Sequence, residues 1–281
     1  MCLFERYQRH CGPNFSINAL LTRMDAVWFS GKINAAQSEC LTGFAAAYVF
    51  YNNILGRRIP VSWLAYVLAT TYHETAATMQ PIAEYGKGAG RSYGEPDPET
   101  GQAYYGRGYV QLTWEENYQK AQGCVVDLNT LECDVPLVMQ PDLALTPWVA
   151  AQVAIVGMAE GWFTGKKLSD YLTDTMTDYV NARRIINGTD KAQTIAAYAI
   201  EVEDALHLAH ADGIARSVVR DGSSGDDVRE LQLMLALSPD GISGPDTVNA
   251  VMLFQAANLL QVDGVCGKDT WAALDRKIYG L

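Results

Sequence analysis

The sequence predicts a mainly α protein, in which a large helical region is followed by a small three-helix module. Apolar residues recur at helical spacing in most long segments, alternating strands are scarce, and a 23-residue repeat occupies the C-terminal end. A chain of 281 residues accommodates one medium and one small domain. We expect a domain over residues 1–212, a linker over 213–224 and the module over 217–281.

Helical apolar stripes predict the elements of the first domain in order. They cover residues 17–28, 42–53, 61–75, 149–163, 168–186 and 192–208. Residues 86–109 are instead rich in Gly, Pro and Tyr, which predicts a long loop or a small hairpin between helices. A loop of that length inside a compact domain is typically functional.

The module is predicted from its repeat. Residues 228–247 and 251–270 align at an offset of 23, so that Val228, Gln232 and Asp240 match Val251, Gln255 and Asp263. Each unit combines one apolar helix face with a D-G turn, where the glycine supplies a positive φ. One unit is too small to bury its own face, so we expect the two to pack together.

The doubled D-G-[IV]-x-G-x-x-T signature resembles the peptidoglycan-binding domain that is appended to many cell-wall hydrolases. This resemblance implies binding of bacterial peptidoglycan rather than catalysis. A helical interaction module for another partner is the alternative.

Charge and composition exclude several classes of partner. The net charge is −11, which is unfavourable for nucleic-acid binding because phosphate contacts need Lys and Arg. The N-terminal residues lack the apolar stretch of a secretory signal. The apolar stretches at 44–55 and 149–158 are too short or too interrupted to span a bilayer. We expect cytoplasmic synthesis, no stable membrane insertion and a monomer.

No metal site or cofactor is predicted. The six cysteines are scattered without C-x-x-C spacing, unlike those of a zinc ribbon. The H-E-T-A-A segment from His73 departs from the zinc-protease motif, because Ala77 stands where the second histidine is required.

Two carboxylates are candidates for acid–base chemistry. Glu74 lies late on an apolar helix, where desolvation favours the protonated form that a general acid needs. Glu84 follows ten residues later in a Gly-rich, wetter stretch that suits an ionised general base. Two carboxyl groups that flank a sugar bond are what glycoside hydrolysis requires. From spacing alone, a solvated surface pair is the alternative.

The segment over residues 103–118 combines glycines, aromatic rings and hydrogen-bonding side chains. Gly106 and Gly108 permit close approach of a ligand to the backbone. Rings for sugar stacking and polar groups for hydroxyl and acetamido contacts are offered by Tyr104, Tyr105, Tyr109, Trp114, Gln111, Thr113 and Asn117. An aromatic core with a turn is the alternative interpretation.

Three ordered motifs resemble family 19 glycoside hydrolases, the group of the plant chitinases. They are H-E-T at 73–75, Y-Y-G-R-G-Y-V-Q-L-T-W at 104–114 and R-R-I-I-N-G at 183–188. The likeness is closer to the phage endolysins built on that fold. It implies a lysozyme-like α fold, an inverting mechanism and Glu74 as the acid.

The same resemblance implies the remaining site residues. Glu84 is the second carboxylate, and Glu95 and Glu99 are rivals because plant chitinases place their second Glu further along the chain. Arg107 and Arg184 are expected to support the cleft. The substrate-binding set comprises Tyr105, Arg107, Gln111, Thr113, Asn117 and Asn187.

The expected function is that of an endolysin, which hydrolyses β-1,4 bonds of bacterial peptidoglycan at the cell wall and causes lysis. A chitinase acting on GlcNAc polymers has the same chemistry. A non-catalytic wall-binding structural protein and a lytic transglycosylase that uses one Glu are further alternatives.

Overall fold

The computed structural model describes residues 15–53, 59–127, 130, 132, 133, 135–173, 175–213 and 216–279. Helices dominate, which confirms the mainly α class. They are α1 (Ile17–Met24), followed by a π-helical turn (Asp25–Phe29), α2 (Ala35–Asn53), α3 (Val61–Glu74), α4 (Glu115–Gln122), α5 (Pro147–Glu160), α6 (Ala192–Gly213), α7 (Asp226–Met234), α8 (Pro245–Ala257) and α9 (Lys268–Tyr279).

The chain packs as two compact units. The first contains Leu21–Asp204, and the second contains Ala205–Leu281 together with the segment that ends at Leu20. No helix in the described part of the chain is long and apolar enough to cross a membrane.

Helices α2, α3 and α5 form the core of the first unit. Helix α5 begins at Pro147, whose missing N–H is tolerated in a first turn, and ends at Gly161 in the left-handed conformation. Its buried Gln152 accepts hydrogen bonds from the Tyr51 hydroxyl at 3.1 Å and the Val126 N–H at 2.9 Å. This polar side chain is therefore satisfied within an apolar core.

Two short antiparallel strands lie at the two ends of the Gly-rich region, residues 86–109, that was predicted as a loop or hairpin. Strand β1 (Ile82–Ala83) pairs antiparallel with β2 (Arg107–Gly108), with Ile82 opposite Gly108 and Ala83 opposite Arg107. A 3₁₀ turn, Ser92–Gly94, lies in the long excursion between the strands. The pairing thus brings residues on both sides of a long loop together.

The helix predicted over residues 168–186 is wrong. The structure has 3₁₀ turns at Leu168–Asp170 and Asn181–Ile185, which flank the antiparallel strands β3 (Leu172–Thr173) and β4 (Met176–Thr177). The side chain of Asp178 accepts a hydrogen bond from the Asn181 N–H at 3.0 Å. Short polar side chains of this kind compete with helical backbone hydrogen bonds.

The second unit contains the three predicted module helices, α7, α8 and α9. They enclose a common apolar core of Val219, Val228, Leu231, Val251, Phe254, Cys266, Trp271, Ala273 and Leu274. The matched positions of the repeat, such as Val228 and Val251, face this same core.

The repeat is reproduced in the hydrogen bonds of one buried glutamine in each unit. Gln232 Nε2 donates to Asp240 Oδ1, Ile242 O and Thr247 Oγ1 at 2.7, 3.0 and 3.1 Å. Gln255 Nε2 donates to Asp263 Oδ1, Val265 O and Thr270 Oγ1 at 2.9, 3.0 and 3.1 Å. Each glutamine therefore joins its own helix to the D-G turn and to the next helix.

The residues that precede the module are attached to it. The Arg216 guanidinium lies 4.5 Å from the Trp271 ring centroid and 2.5 Å from Glu230 Oε1. Trp271 Nε1 donates to Ser217 O at 3.2 Å. Of the predicted linker, 213–224, residues 214 and 215 lie outside the described residues, while the stretch from Arg216 onward contacts the module.

Candidate active site

Glu74 is the last residue of α3 and forms an ion pair. Its Oε1 lies 2.5 Å from Nη1 of Arg183, in the 3₁₀ turn Asn181–Ile185. Arg183 is 3% exposed and Glu74 is 28% exposed. Arg183 Nε also donates to the Asp190 carbonyl at 3.0 Å. The buried arginine thus fixes the direction of a carboxylate that still reaches solvent.

This environment differs from the one that the sequence predicts. Helix α3 is buried through Thr71, but Glu74 lies one turn further on, where the helix leaves the core. The carboxyl group is therefore in an ion pair with partial solvent access, and not in an apolar pocket. Hydropathy along one helix identified the buried stretch but could not identify a partner distant in sequence.

The arginine that contacts Glu74 is Arg183, whereas Arg184 is the one that was expected to support the cleft. Arg184 is exposed, and its Nε lies 3.5 Å from Asn181 Oδ1. Two adjacent arginines point in different directions, so the motif alone could not distinguish them. Arg183 is therefore a candidate site residue that the sequence did not single out.

Tyr66 lies close to this ion pair. Its ring stacks on Tyr179, with centroids 6.0 Å apart and planes 8° from parallel. Burial raises the pKa of Tyr66 above its ordinary value; the Arg183 guanidinium opposes this rise and the Glu74 carboxylate adds to it. The phenol is therefore a neutral neighbour of the pair.

Glu84 follows β1 and is held at both carboxylate oxygens. Its Oε2 accepts from the Gly106 N–H at 3.1 Å, and its Oε1 accepts from the Tyr93 hydroxyl at 3.0 Å. The Glu84 N–H donates to the Gly106 carbonyl at 2.7 Å. Extension of the β1–β2 pairing by one residue thus positions this side chain.

The rival carboxylates have different surroundings. Glu95 and Glu99 are exposed in the excursion between β1 and β2. The Glu99 N–H donates to Asp97 Oδ1 at 3.0 Å. Across the described stretches of the chain, neither the Glu95 nor the Glu99 carboxylate accepts a hydrogen bond. The contacts favour Glu84, whose role stays a prediction.

Gln111 and Thr113 brace the strand pair. Gln111 adopts a φ of 57° and donates from Nε2 to Ile82 O at 3.1 Å and Gly108 O at 3.2 Å. Thr113 Oγ1 donates to Gln111 O at 2.8 Å. A Cβ at Gly106 would lie 2.7 Å from Gln111 Oε1, so any larger residue there would require the Gln111 amide to shift.

Arg107 serves the scaffold. It is buried, donates from Nε to Asp142 Oδ1 at 2.8 Å and from Nη1 to the Tyr118 hydroxyl at 3.0 Å. The Tyr105 ring centroid lies 3.6 Å from its guanidinium carbon. Its donors face protein groups, which favours the supporting role over a substrate contact, and both roles stay predictions.

The aromatic side chains of the 103–118 segment divide between core and surface. Tyr104, Tyr105 and Tyr109 are buried, as in the aromatic-core alternative, whereas Trp114 is 51% exposed. Among the polar candidates, Asn117 Nδ2 donates to Thr113 O at 3.0 Å. Asn187 is exposed, with its Oδ1 accepting from the Gly188 N–H at 2.9 Å.

No group of three or more His, Cys, Asp or Glu side chains is arranged to hold a metal ion within the described ranges. The candidate site consists of two parts, each defined by its own contacts. One is the Glu74–Arg183 ion pair, and the other is the Glu84 carboxylate on the braced strand pair.

Comparisons with solved structures returned chitinases. Chitinase C from Streptomyces griseus HUT6037 is 23% identical and has a TM-score of 0.40, covering 69% of this chain and 93% of that one. A mutant of chitinase C is 22% identical with a TM-score of 0.41, covering 69% and 93%. A bacterial family 19 chitinase is 22% identical with a TM-score of 0.39, covering 66% and 93%.

A family model matches the C-terminal part of the chain. It is described as a putative peptidoglycan binding domain and covers residues 224–274. This range contains both copies of the repeat and both buried glutamines. The repeated three-helix region, over residues 224–274, therefore corresponds to the putative peptidoglycan binding domain family.

Proposed function

We propose that this protein is an endolysin-type glycoside hydrolase that cleaves β-1,4 glycosidic bonds of bacterial peptidoglycan at the cell wall. One observation carries the proposal: the carboxylates of Glu74 and Glu84 have different hydrogen-bonding and ion-pair partners. Glu74 is paired with a buried guanidinium, and Glu84 accepts from a phenol and a backbone N–H. Carboxylates held in contrasting environments are typical of acid–base pairs.

In this mechanism Glu74 is the general acid. Arg183 holds the carboxyl group in one direction. A sugar that covers the exposed side of Glu74 brings the glycosidic oxygen within reach of this carboxyl group. The proton then passes to the glycosidic oxygen of the leaving sugar as the bond breaks.

Glu84 is the general base. Its carboxylate accepts a proton from a water molecule that attacks the anomeric carbon from the opposite face of the ring. The water transfers a proton to the Glu84 carboxylate, and its oxygen forms the new bond to the anomeric carbon. The configuration of this carbon is thereby inverted. An inverting enzyme needs its two carboxyl groups about 6.5–9.5 Å apart, which leaves room for this water.

In this proposal the C-terminal module attaches the enzyme to its substrate. A peptidoglycan-binding domain on the same chain raises the local concentration of the enzyme on an insoluble polymer. Its match over residues 224–274 supports peptidoglycan rather than chitin as the polymer.

The proposal is tested by reducing-end release and mass analysis of fragments from purified sacculi, with chitin as the comparison substrate. Hydrolysis adds one water to each cut, whereas a lytic transglycosylase leaves anhydro ends. We expect wild-type protein to release hydrated fragments and Glu74→Gln to lower the rate at least about 100-fold. Release from chitin alone, anhydro ends, or an unimpaired Glu74→Gln variant would each contradict the proposal.

A further inference from the structure

Tyr93 is a side chain of the excursion between β1 and β2 that contacts a candidate catalytic carboxylate. Its hydroxyl lies 3.0 Å from Glu84 Oε1, while the Gly106 N–H lies 3.1 Å from the other oxygen, Oε2. A carboxylate held by one donor rotates about its terminal torsion, but donors at both oxygens fix its plane. Tyr93 supplies the second of these two donors.

The loop holds the Tyr93 ring in position. A Cβ at Gly88 would lie 2.8 Å from the ring, so the Gly88 backbone packs directly against it. The ring also meets Trp114 edge-on, with centroids 5.1 Å apart and planes at 77°. Gly88 has a φ of 70°, which glycine adopts without strain. The phenol is therefore positioned by packing and not only by its hydrogen bond.

The phenol is suited to act as a permanent donor. The hydrogen bond to Glu84 raises the pKa of Tyr93 above its ordinary value, and desolvation and the Glu84 charge act in the same direction. Tyr93 thus stays protonated over the range in which a carboxylate base operates.

We infer that Tyr93 is a positioning residue for Glu84, which orients the carboxylate toward the attacking water. The inference rests on the proposed function, in which Glu84 is the base. The remaining lone pairs of Oε1 and Oε2 are available to the water, because each carboxylate oxygen has two. Tyr93 does not touch the reacting atoms and acts through Glu84.

The test is the kinetics of full-length Tyr93→Phe on purified peptidoglycan. The substitution keeps the ring and its contact with Trp114 but removes the donor. We expect kcat to fall about tenfold or more, with KM little changed. A fall in kcat at constant KM is expected because the orientation of the base affects turnover and not the binding of the glycan.

Tyr85→Phe is the matched control. Tyr85 lies in the same loop next to Glu84, but its side chain is fully exposed. We expect wild-type kcat and KM for this variant. Rates are expressed per folded molecule, with the folded fraction of each variant taken from urea denaturation, so that a fall in kcat reports the role of Tyr93 even where the variant is less stable.

A double-mutant cycle tests whether Tyr93 acts through Glu84. Adding Tyr93→Phe to Glu84→Gln should cost no further activity, and a full additional loss would overturn the inference. A Tyr93→Phe enzyme with wild-type kcat would also overturn it, while leaving the proposed function intact. Wild-type protein that releases no reducing ends would refute the proposed function itself, and the inference with it.

Discussion

Arg183 Nη1 lies 2.5 Å from Glu74 Oε1 and joins two segments that are 109 residues apart in the sequence. The arginine is buried, and its Nε donates to the Asp190 carbonyl. Loss of the guanidinium would leave the Asp190 carbonyl and the Glu74 carboxylate without this shared partner. The ion pair therefore connects two distant segments and also orients the carboxyl group of the proposed acid.

Arg183→Ala is expected to lower the free energy of unfolding by about 1–3 kcal/mol, less than for a fully buried pair because Glu74 is partly exposed. Urea denaturation measures this change. Arg184→Ala removes the neighbouring, exposed arginine and should stay within about 0.5 kcal/mol of wild type. Equal losses for the two variants would show that the ion pair contributes nothing specific.

Gly106→Ala should disturb the support of Glu84. The new methyl group would lie 2.7 Å from Gln111 Oε1, so the Gln111 amide must move away from its acceptor on Ile82. We expect a destabilisation of about 1–3 kcal/mol and a lower rate on peptidoglycan.

Gly123→Ala is the control for that substitution. A Cβ there meets only ordinary contacts, with 3.6 Å to the nearest atom, and the backbone is right-handed helical. Its stability and rate should match wild type. A Gly106→Ala protein that also matches wild type would contradict the packing described for this glycine.

Ala77→Gly should stabilise the protein. Ala77 has a φ of 63°, in the short segment between Glu74 and Glu84 where Ala76 and Met79 also have positive φ. Left-handed backbone costs a residue with a Cβ roughly 1 kcal/mol, so glycine should raise the free energy of unfolding by a few tenths to about 1 kcal/mol. Thermal and urea unfolding measure the gain.

Ala197→Gly is the opposite case, because Ala197 is exposed in the middle of α6. There glycine should cost about 1 kcal/mol. Destabilisation by both substitutions would argue that the segment after Glu74 is not strained at Ala77.

The module should lose stability in acid. Hydrogen bonds from the Ile242 N–H and Gln232 lower the pKa of Asp240, and those from the Val265 N–H and Gln255 lower that of Asp263. A lowered folded-state pKa contributes stability above the unfolded value, 3.8, and this contribution is lost as the pH falls through the folded value.

Urea denaturation of the full chain at a series of pH values, followed by hydrogen exchange of the backbone amides in residues 216–279, measures this loss. The double variant Asp240→Asn, Asp263→Asn should show a shallower fall in stability below about pH 4. An unchanged slope would mean that these two carboxylates do not contribute to it.

Removal of residues 216–281 should lower activity on whole sacculi far more than on soluble glycan fragments, because only the insoluble substrate benefits from attachment. The cut is placed before Arg216 because that residue contacts Trp271 and Glu230 in the module. Activity on both substrates is followed by reducing-end release. An equal loss on both would indicate a folding defect in the remaining chain.

Sequence alone predicted those features that depend on neighbours along the chain. The 23-residue repeat predicted the three-helix module, since the same residues at the same spacing make the same local hydrogen bonds, as Gln232 and Gln255 do. Apolar spacing predicted α3 and therefore the place of Glu74 near its end. The Gly-rich composition predicted the excursion that carries Tyr93.

The tertiary structure decided the partners of those residues. Which of two adjacent arginines meets Glu74, and which tyrosine of a tyrosine-rich loop meets Glu84, depends on how distant segments pack. The helix over residues 168–186 was wrongly predicted for the same reason. Apolar spacing indicates which residues are buried, but it does not determine their backbone conformation. That conformation depends on local side-chain hydrogen bonds and on packing against distant segments.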